Sequence, residues 1–277
     1  MSDDGLPPLR EILKQHNLKA RKGLGQNFLL DFNVTRKIAR LANARPQKHF
    51  VEIGPGPGGL TRSLLHEGVD QLTLIERDER VRPILSEIST RYPGSLDIIF
   101  DDALSIDWSS LSPSPYVIVG NLPYNIGTAL LVDWLSRPWP PEFDQLTLMF
   151  QEEVGERIVA LPGSRAYGRI SALAQWRCDV DILYRLPRDA FTPAPKVASA
   201  IVEFRPKNSL ELSPSVDVFS RITAAAFGQR RKMLRQSLKS ICGDVIELLS
   251  ELGIDPTARA EDLDWREYCR IALAVDD

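Results

Sequence analysis

Residues 49–59 read His-Phe-Val-Glu-Ile-Gly-Pro-Gly-Pro-Gly-Gly. A short apolar run ends in this string of glycines, and the helical pattern of residues 59–67 follows at once. The glycines satisfy the spacing G-x-G-x-x-G between a predicted strand and a predicted helix. Glycines in such a turn let the chain bend tightly and let a ligand approach the backbone closely. The stretch therefore predicts a nucleotide-like ligand at the end of a strand in an α/β sheet.

The same alternation of apolar runs and helical stretches continues along the chain after this stretch. Short apolar runs occur at residues 49–54, 71–77, 96–101, 116–121 and 146–151. Helical stretches separate several of them, at residues 59–67, 79–90 and 126–136. Strands that alternate with helices are typical of βαβ units on a parallel sheet, so the predicted fold class is α/β.

The end of the chain has a different character. After β-rich runs at 179–186 and 197–205 comes a polar linker at 206–214, and the pattern beyond it is helical throughout. Helices are predicted at residues 215–227, 229–241, 243–252 and 264–275. We therefore predict an α/β domain over residues 1–207, with a basic helical arm at 6–22, and a small all-helical domain over residues 208–277.

Composition excludes several classes of protein. The 277 residues are 43% hydrophobic and 26% charged, which is typical of a globular chain with its own core. No apolar run approaches the ~18 residues of a membrane span, so no membrane partner is expected. Cys178, Cys242 and Cys269 are odd in number and have no metal-like spacing. They predict reduced thiols in a cytoplasmic protein without a bound metal.

Positive charge is concentrated in two segments, although the net charge is −3. Residues 10–22 contain five basic residues and one acid, and residues 229–239 contain five basic residues and no acid. Local patches set the field that a polyanion meets, which favours a nucleic-acid partner. A solvated helix face stays the alternative for both segments. The predicted RNA contacts are Arg230, Arg231, Lys232, Arg235 and Lys22.

Acidic residues follow the second and third strands. Glu76 lies 22 residues after Gly54, where a carboxylate can bind both hydroxyls of a ribose. A dinucleotide or S-adenosylmethionine (SAM) would satisfy this pattern. Asp101 and Asp102 end the third run, and an acid there can accept a hydrogen bond from an adenine amino group. A helix cap or turn residue is the alternative for this pair.

Asn121-Leu122-Pro123-Tyr124, directly after the fourth strand, decides between these ligands. An adenine amino nitrogen is a poor nucleophile, because its lone pair is delocalised into the ring. The Asn121 side-chain oxygen and the Leu122 carbonyl can accept its two hydrogens and localise the lone pair. Tyr124 can stack on a base extruded from its helix. The motif predicts a methyltransferase that acts on exocyclic amino groups, with a simple turn as the alternative.

The chain resembles the rRNA adenine dimethyltransferase family over about residues 15–275. The motifs that carry the resemblance follow the order of the family: 25–29, 51–56, 76–78, 102–103, 121–126, 167–169, 191–197 and 226–232. The resemblance implies a Rossmann-like SAM-dependent methyltransferase sheet followed by a helical rRNA-binding domain.

The resemblance also implies roles for individual residues. SAM would be bound by Asn27, Leu29, Gly54, Glu76, Asp102 and Asn121, and Gly56 is predicted to join them as part of the glycine loop. Asn121 and Tyr124 would hold the target base beside the Leu122 carbonyl predicted above, and Phe191 would close on it from the opposite side. The family methylates two adjacent adenosines near the 3′ end of small-subunit rRNA. We accordingly expect a cytoplasmic monomer that acts on an immature small ribosomal subunit.

Three other functions are compatible with part of the pattern. An oxidoreductase would share the glycine loop, but it would leave Asn121–Tyr124 and the basic segment unexplained. A non-catalytic assembly factor would bind the subunit without methylating it. A large-subunit rRNA methylase of the macrolide-resistance type would share the glycine and Asn121–Tyr124 motifs. Segments 191–197 and 229–232 favour the small-subunit substrate.

Overall fold

The structure is a computed structural model that describes residues 4–241 and 243–276, with Lys22, Tyr124 and Asn125 described by their backbone alone. Its strands are β1 (Phe28–Leu29), β2 (His49–Ile53), β3 (Gln71–Glu76), β4 (Leu96–Phe100), β5 (Tyr116–Gly120), β6 (Phe143–Gln151), β7 (Cys178–Leu186), β8 (Phe191–Thr192) and β9 (Ser199–Pro206). Its α-helices are α1 (Leu9–Gln15), α2 (Phe32–Leu41), α3 (Gly59–His66), α4 (Arg82–Arg91), α5 (Tyr124–Ser136), α6 (Glu152–Ile158), α7 (Arg169–Arg177), α8 (Val216–Gly228), α9 (Leu234–Ser237), α10 (Val245–Glu251) and α11 (Trp265–Asp276).

Seven strands form one sheet in the order β4-β3-β2-β5-β6-β9-β7. Strands β2 to β6 pair in parallel, and β9 runs antiparallel to β6. The strand order reverses between β2 and β5, because β3 and β4 lie on one side of β2 and the later strands on the other. Ligands of open α/β sheets bind at the carboxyl ends of the strands beside such a reversal. The predicted α/β class is confirmed.

Burial explains why the predicted strands read as apolar runs. All five residues of β2 and all five of β5 are buried. Strands of a parallel sheet are buried on both faces, so they lack the alternation of a half-exposed sheet. The core cluster includes Phe50 of β2, Leu74 of β3, Leu64 of α3 and Ile84 of α4. Burying one such side chain contributes roughly 1.5–3 kcal/mol.

The chain divides into two compact units. The first comprises Met1–Asp133, Pro141–Gly155 and Asp181–Arg205, and the second comprises Trp134–Pro140, Glu156–Val180 and Pro206–Asp277. The predicted division after residue 207 lies close to the last of these borders. It differs in leaving out the two earlier segments of the second unit, which no local pattern reveals.

Aromatic packing accounts for those two segments. Trp176 lies with its ring centroid 4.5 Å from that of Phe219 in α8. Trp139 donates its Nε1–H to the carbonyl oxygen of Lys207 at 3.1 Å. Tyr268 of α11 extends the cluster, with its centroid 6.4 Å from Phe219. The second unit therefore has an aromatic core of its own, and segments distant in sequence supply it.

The N-terminal arm is shorter than the predicted helix over residues 6–22. α1 ends at Gln15, and Asn17 has a φ of 46°, a conformation that interrupts a right-handed helix. Buried Arg62 of α3 binds both carboxylate oxygens of Asp4, at 2.5 and 2.7 Å. Bidentate pairs of this kind combine strength with fixed geometry. The arm is thus a docked part of the first unit.

The predicted helix over residues 229–241 is wrong in extent, because α9 covers only four of these residues. Met233 forms an isolated β-bridge with Arg259. The Leu234 N–H donates to the Ala258 carbonyl at 2.8 Å. These backbone groups bind another segment rather than a helical neighbour, so the helix cannot begin before residue 234.

Candidate cofactor and target-base site

A cleft opens in the first unit at the carboxyl ends of β2, β3, β4 and β5. Its volume is about 1170 Å³ with the open mouth included. The residues predicted to bind the cofactor all line it: Asn27, Leu29, Gly54, Gly56, Glu76, Asp102 and Asn121. Leu122, one of the residues predicted to hold the base, lines it as well. The structure therefore brings together residues that are distant in sequence.

The glycine loop needs glycine for two different reasons. Gly54 and Gly56 have φ values of +66° and +52°, which lie in the left-handed region. A Cβ at Gly54 would meet no atom within 4 Å, so it would project into open space beside the cleft. A Cβ at Gly56 would lie 3.3 Å from the Phe28 ring. The loop thus keeps room for a ligand against its backbone.

Glu76 is fixed by the loop that it faces. Its Oε2 accepts the Gly56 N–H at 3.0 Å, and its Oε1 accepts the Asp78 N–H at 2.7 Å. The residue is 6% exposed, and burial raises the pKa of its carboxyl group. Each carboxylate oxygen can accept a second hydrogen bond, so the group can still bind two ribose hydroxyls.

Asp102 has the turn role that was the alternative for it, and it also lines the cleft. Its Oδ1 accepts the Leu104 N–H at 3.0 Å, as in a turn, and its Oδ2 lies 3.0 Å from an Arg77 nitrogen. The carboxylate is therefore oriented at the rim of the cleft. Its contact with adenine stays a prediction.

The N-terminal motif reaches the cleft through a polar network that the sequence did not reveal. Gln26 donates its Nε2–H to Asp78 at 2.8 Å, and Gln26 Oε1 accepts from Arg80 at 3.3 Å. Burial alone would raise the pKa of Asp78, but hydrogen bonds from Arg80 and Gln26 hold it below its usual value. The network joins residues 25–29 to the end of β3.

Asn121 is held at the end of β5 by the same N-terminal motif. Its Nδ2–H donates to the Asn27 carbonyl oxygen at 2.9 Å. This bond fixes the amide orientation and turns Oδ1 away from Asn27. Leu122, the next residue, is buried beside Gly120, where a Cβ would lie 2.9 Å from the Leu122 side chain. An acceptor oxygen of defined direction is what polarisation of an amino group requires.

The acids that line the cleft bear on the class of ligand. A dinucleotide would place its pyrophosphate at the N-terminus of α3. Glu76 and Asp102, which both line the cleft, fit the ribose hydroxyls and the adenine amino group of SAM.

A family model described as ribosomal RNA adenine dimethylase matches residues 17–277. The chain is 52% identical over 271 residues to the ribosomal RNA small subunit methyltransferase A of Cereibacter sphaeroides, covering 98% of each chain.

The chain belongs to the ribosomal RNA adenine dimethylase family.

Two solved structures are similar to this chain. A dimethyladenosine transferase of Plasmodium falciparum has a TM-score of 0.76 and 25% identity, over 88% of this chain and 95% of its own. The 23S rRNA methyltransferase ErmE has a TM-score of 0.68 and 26% identity, over 91% of this chain and 100% of its own. The predictions of a SAM-dependent rRNA adenine dimethyltransferase and of its sheet are confirmed, and membership excludes the oxidoreductase.

The structure does not show Phe191 and Tyr124, the other predicted members of the site, in contact with the cleft. Phe191 is 3% exposed and pairs in β8 with Leu29 of β1, and it lies in the apolar core. Its contact with a target base stays a prediction, and it would require a change in the burial of this ring. The side chain of Tyr124 lies outside the described part of the chain. The short β1–β8 pairing had no sequence signal, because two residues show no periodicity.

Glu52 is a buried acid of this dimethylase that motif reasoning missed. It is 2% exposed, and its Oε2 accepts the Thr61 hydroxyl at 2.6 Å. Burial raises the pKa of Glu52 to about 8; the Thr61 bond opposes the rise and the Glu76 charge adds to it. Glu52 also lines the cleft. Because its pKa is about 8, its carboxyl group carries a proton at neutral pH.

Replacement of Glu52 should change how stability depends on pH. Between pH ~4.5 and 8 the unfolded state ionises Glu52 while the folded state keeps it protonated, so stability falls as pH rises. Glu52→Gln keeps the shape and an acceptor for Thr61 without the charge. We expect equal stability at pH 5 and a gain on the order of 3 kcal/mol at pH 9. Urea unfolding at both values tests this, with exposed Glu79→Gln as control. A constant difference between variant and parent would contradict it.

The basic residues of the second unit are not equivalent. Arg231, Lys232 and Arg235 are exposed, whereas the Arg230 Nε lies 3.3 Å from Glu261 Oε2. The side chain of Lys22, in the first unit, lies outside the described part of the chain. RNA contact by these residues stays a prediction.

The structure also bears on metal binding, on membrane spanning and on the cysteines. Within residues 4–241 and 243–276, no group of three His, Cys, Asp or Glu is arranged to hold a metal ion. Over the same residues, no helix is long and apolar enough to cross a membrane. Cys178 and Cys269 are buried free thiols, as predicted, and Cys242 lies outside the described residues.

Proposed function

We propose that this chain methylates the N6 amino groups of two adjacent adenosines in the 3′-terminal hairpin of small-subunit rRNA, giving N6,N6-dimethyladenosine at both. The near full-length identity with a small subunit methyltransferase A supports the substrate. The observation that carries the chemistry is the Asn121 amide, oriented by the Asn27 carbonyl at the edge of the cleft.

Each residue of the proposed site would have a distinct role. Glu76 would hold the ribose of SAM and Asp102 its adenine, and bound SAM supplies an electrophilic methyl group. Asn121 Oδ1 and the Leu122 carbonyl would accept the hydrogens of the target amine and direct its lone pair to that methyl. Tyr124 and Phe191 would stack on the extruded base. As the N6–methyl bond forms, the methyl–sulfur bond would break and S-adenosylhomocysteine would leave. The N6 would then carry a positive charge and lose a proton to solvent, so positioning contributes more than acid–base catalysis.

The proposal extends to the particle and the place of action. The substrate would be an immature small ribosomal subunit in the cytoplasm. The enzyme would act as a monomer.

Methyl transfer from labelled SAM tests the proposal directly. Small subunits that lack the modification would be incubated with the enzyme, and rRNA fragments would be mapped by mass spectrometry. We expect dimethyladenosine at the two adjacent hairpin adenosines. Label on large-subunit rRNA would instead indicate the activity named for ErmE. Subunit binding without any label would favour the assembly factor.

Arg231→Glu tests whether the basic turn at residues 229–232, which the Lys232 N–H closes on the Gln229 carbonyl, binds the rRNA backbone. The side chain is exposed, and reversing its charge removes a phosphate contact and adds repulsion. We expect affinity for small subunits to fall roughly tenfold near 0.1 M salt, and the slope of log K against log salt to fall by about one or more. Arg221→Glu, an exposed charge reversal on α8, is the control. Equal affinity and slope in Arg231→Glu would remove the turn from the RNA site.

A further inference from the structure

The loop between α6 and α7 combines exposure with firm anchoring. Leu161 is 72% exposed, and Arg165 is exposed as well. The N–H and Oγ–H of Ser164 both donate to the Leu161 carbonyl, at 3.2 and 2.7 Å. The Gly163 N–H donates to the Glu261 carbonyl at 2.6 Å. The tip is therefore a closed turn tied to another segment of the second unit, and not a free loop.

Arg230 provides a further anchor. Its Nε lies 3.3 Å from the Glu261 carboxylate, and its Nη2–H donates to the Ser164 carbonyl oxygen at 3.3 Å. The side chain is only 34% exposed. Its guanidinium thus joins the loop to the segment at Glu261. The Arg230 guanidinium therefore already has two partners within the protein.

The anchoring places cations on both sides of this contact. Arg165 follows Ser164 in the chain, and Arg231 follows Arg230, so the two arginines extend from two residues that are hydrogen-bonded to each other. Among the described residues, neither has a carboxylate within ion-pair distance. Leu161, at the start of the turn, adds an apolar side chain to this surface.

We propose that residues 161–165 are a contact for ribosomal RNA, and that Arg230 is the positioning residue that holds them. Arg165 binds a backbone phosphate, and Leu161 packs on a sugar or a base. The inference rests on the proposed function, because the partner is the small-subunit rRNA. Exposed positive charge without acidic partners favours a polyanion such as the rRNA backbone. A turn held in its bound conformation also loses less entropy on binding.

Two substitutions separate the two contacts. Arg165→Ala should weaken binding to unmethylated small subunits about three- to tenfold and lower the salt slope by about one. Leu161→Ser should weaken binding by a similar factor and leave the slope unchanged, because no charge is lost. Arg221→Ala, which removes an exposed arginine elsewhere in the second unit, is the matched control. An unchanged affinity in Arg165→Ala and Leu161→Ser, or an equal loss in Arg221→Ala, would overturn the inference.

A double-mutant cycle tests the role of Arg230. Arg230→Lys keeps the charge but cannot bridge Glu261 and Ser164 with one planar group. A positioning role predicts weaker binding in Arg230→Lys and little additional loss when Arg165→Ala is added. A direct phosphate contact predicts that lysine retains most of the affinity and that the two losses add. Unchanged melting temperatures would show that the variants are folded.

The remaining outcomes distinguish this inference from the function on which it rests. Failure of the parent enzyme to methylate small subunits would contradict the proposed function. Normal methylation by the parent with unchanged affinity in the loop variants would contradict the RNA contact of residues 161–165 and leave the proposed function standing. Weaker binding of the variants to whole subunits, with equal binding to protein-free rRNA, would assign the loop to a ribosomal protein and overturn the RNA contact.

Discussion

Asn121→Ala should lower the turnover of the dimethylase roughly 10²–10³-fold, the effect of losing one oriented polar group in a preorganised site. The reason is the fixed direction of the amide: Nδ2 is bound to the Asn27 carbonyl, so Oδ1 is the atom offered to the target amine. Loss of that acceptor removes the polarisation of the amine and leaves the ribose carboxylate in place. SAM affinity should therefore change less than about tenfold. Single-turnover methyl transfer and calorimetric titration with SAM measure the two quantities.

Asn121→Asp is the informative companion. Aspartate keeps an acceptor oxygen but cannot donate to the Asn27 carbonyl. If amine polarisation matters most, Asn121→Asp should retain more turnover than Asn121→Ala. Equal losses would show that the residue acts by anchoring the Asn27 segment. An unaffected rate in Asn121→Ala would exclude both roles.

Sequence patterns predicted the alternating strands and helices of the first unit. Strands β2 to β5 are short and mostly apolar, and the acids or amides that matter lie at or just after their ends. A parallel sheet places all carboxyl ends at one edge, so Gly54, Glu76, Asp102 and Asn121 had to meet there. The order of the strands and helices and their hydrophobic periodicity suffice to place these residues at one edge, so the cleft was predictable.

Contacts that depend on side-chain packing were not predictable. The Asn121 bond to Asn27 joins residues 94 positions apart, and nothing in either motif specifies it. Glu52 sits within the glycine motif, yet its protonation follows from burial, which a motif does not display. Arg230 was grouped with its neighbours by charge, and only its bonds to Glu261 and Ser164 set it apart.

The predicted helix over residues 229–241 failed for a related reason. Apolar and basic residues alternate there at helical spacing, so local preference favoured a helix. The backbone instead bonds to residues 256, 258 and 259, which lie in another segment. Tertiary hydrogen bonds outweigh helix propensity, which amounts to less than about 1 kcal/mol per residue.

Glu76→Ala should abolish measurable SAM binding or weaken it at least about 100-fold. Two hydrogen bonds from ribose hydroxyls to a carboxylate are each worth about 1.5–3 kcal/mol. The substitution also leaves the N–H groups of Gly56 and Asp78 without their acceptor, so the loop loses its support. Titration of SAM at equal protein concentration measures the loss. Glu79→Ala, an exposed carboxylate three residues further on, should bind SAM like the parent.

A ligand lacking both ribose hydroxyls separates direct contact from loop support. The parent should bind the dideoxy analogue of S-adenosylhomocysteine far more weakly than S-adenosylhomocysteine itself, whereas Glu76→Ala should bind both about equally. Coupling of this size is expected when the removed carboxylate and the removed hydroxyls contact each other. If Glu76→Ala still discriminates between the two ligands as the parent does, another group holds the ribose. Glu76 would then act only by supporting Gly56, and the loss of SAM affinity would belong to the glycine loop.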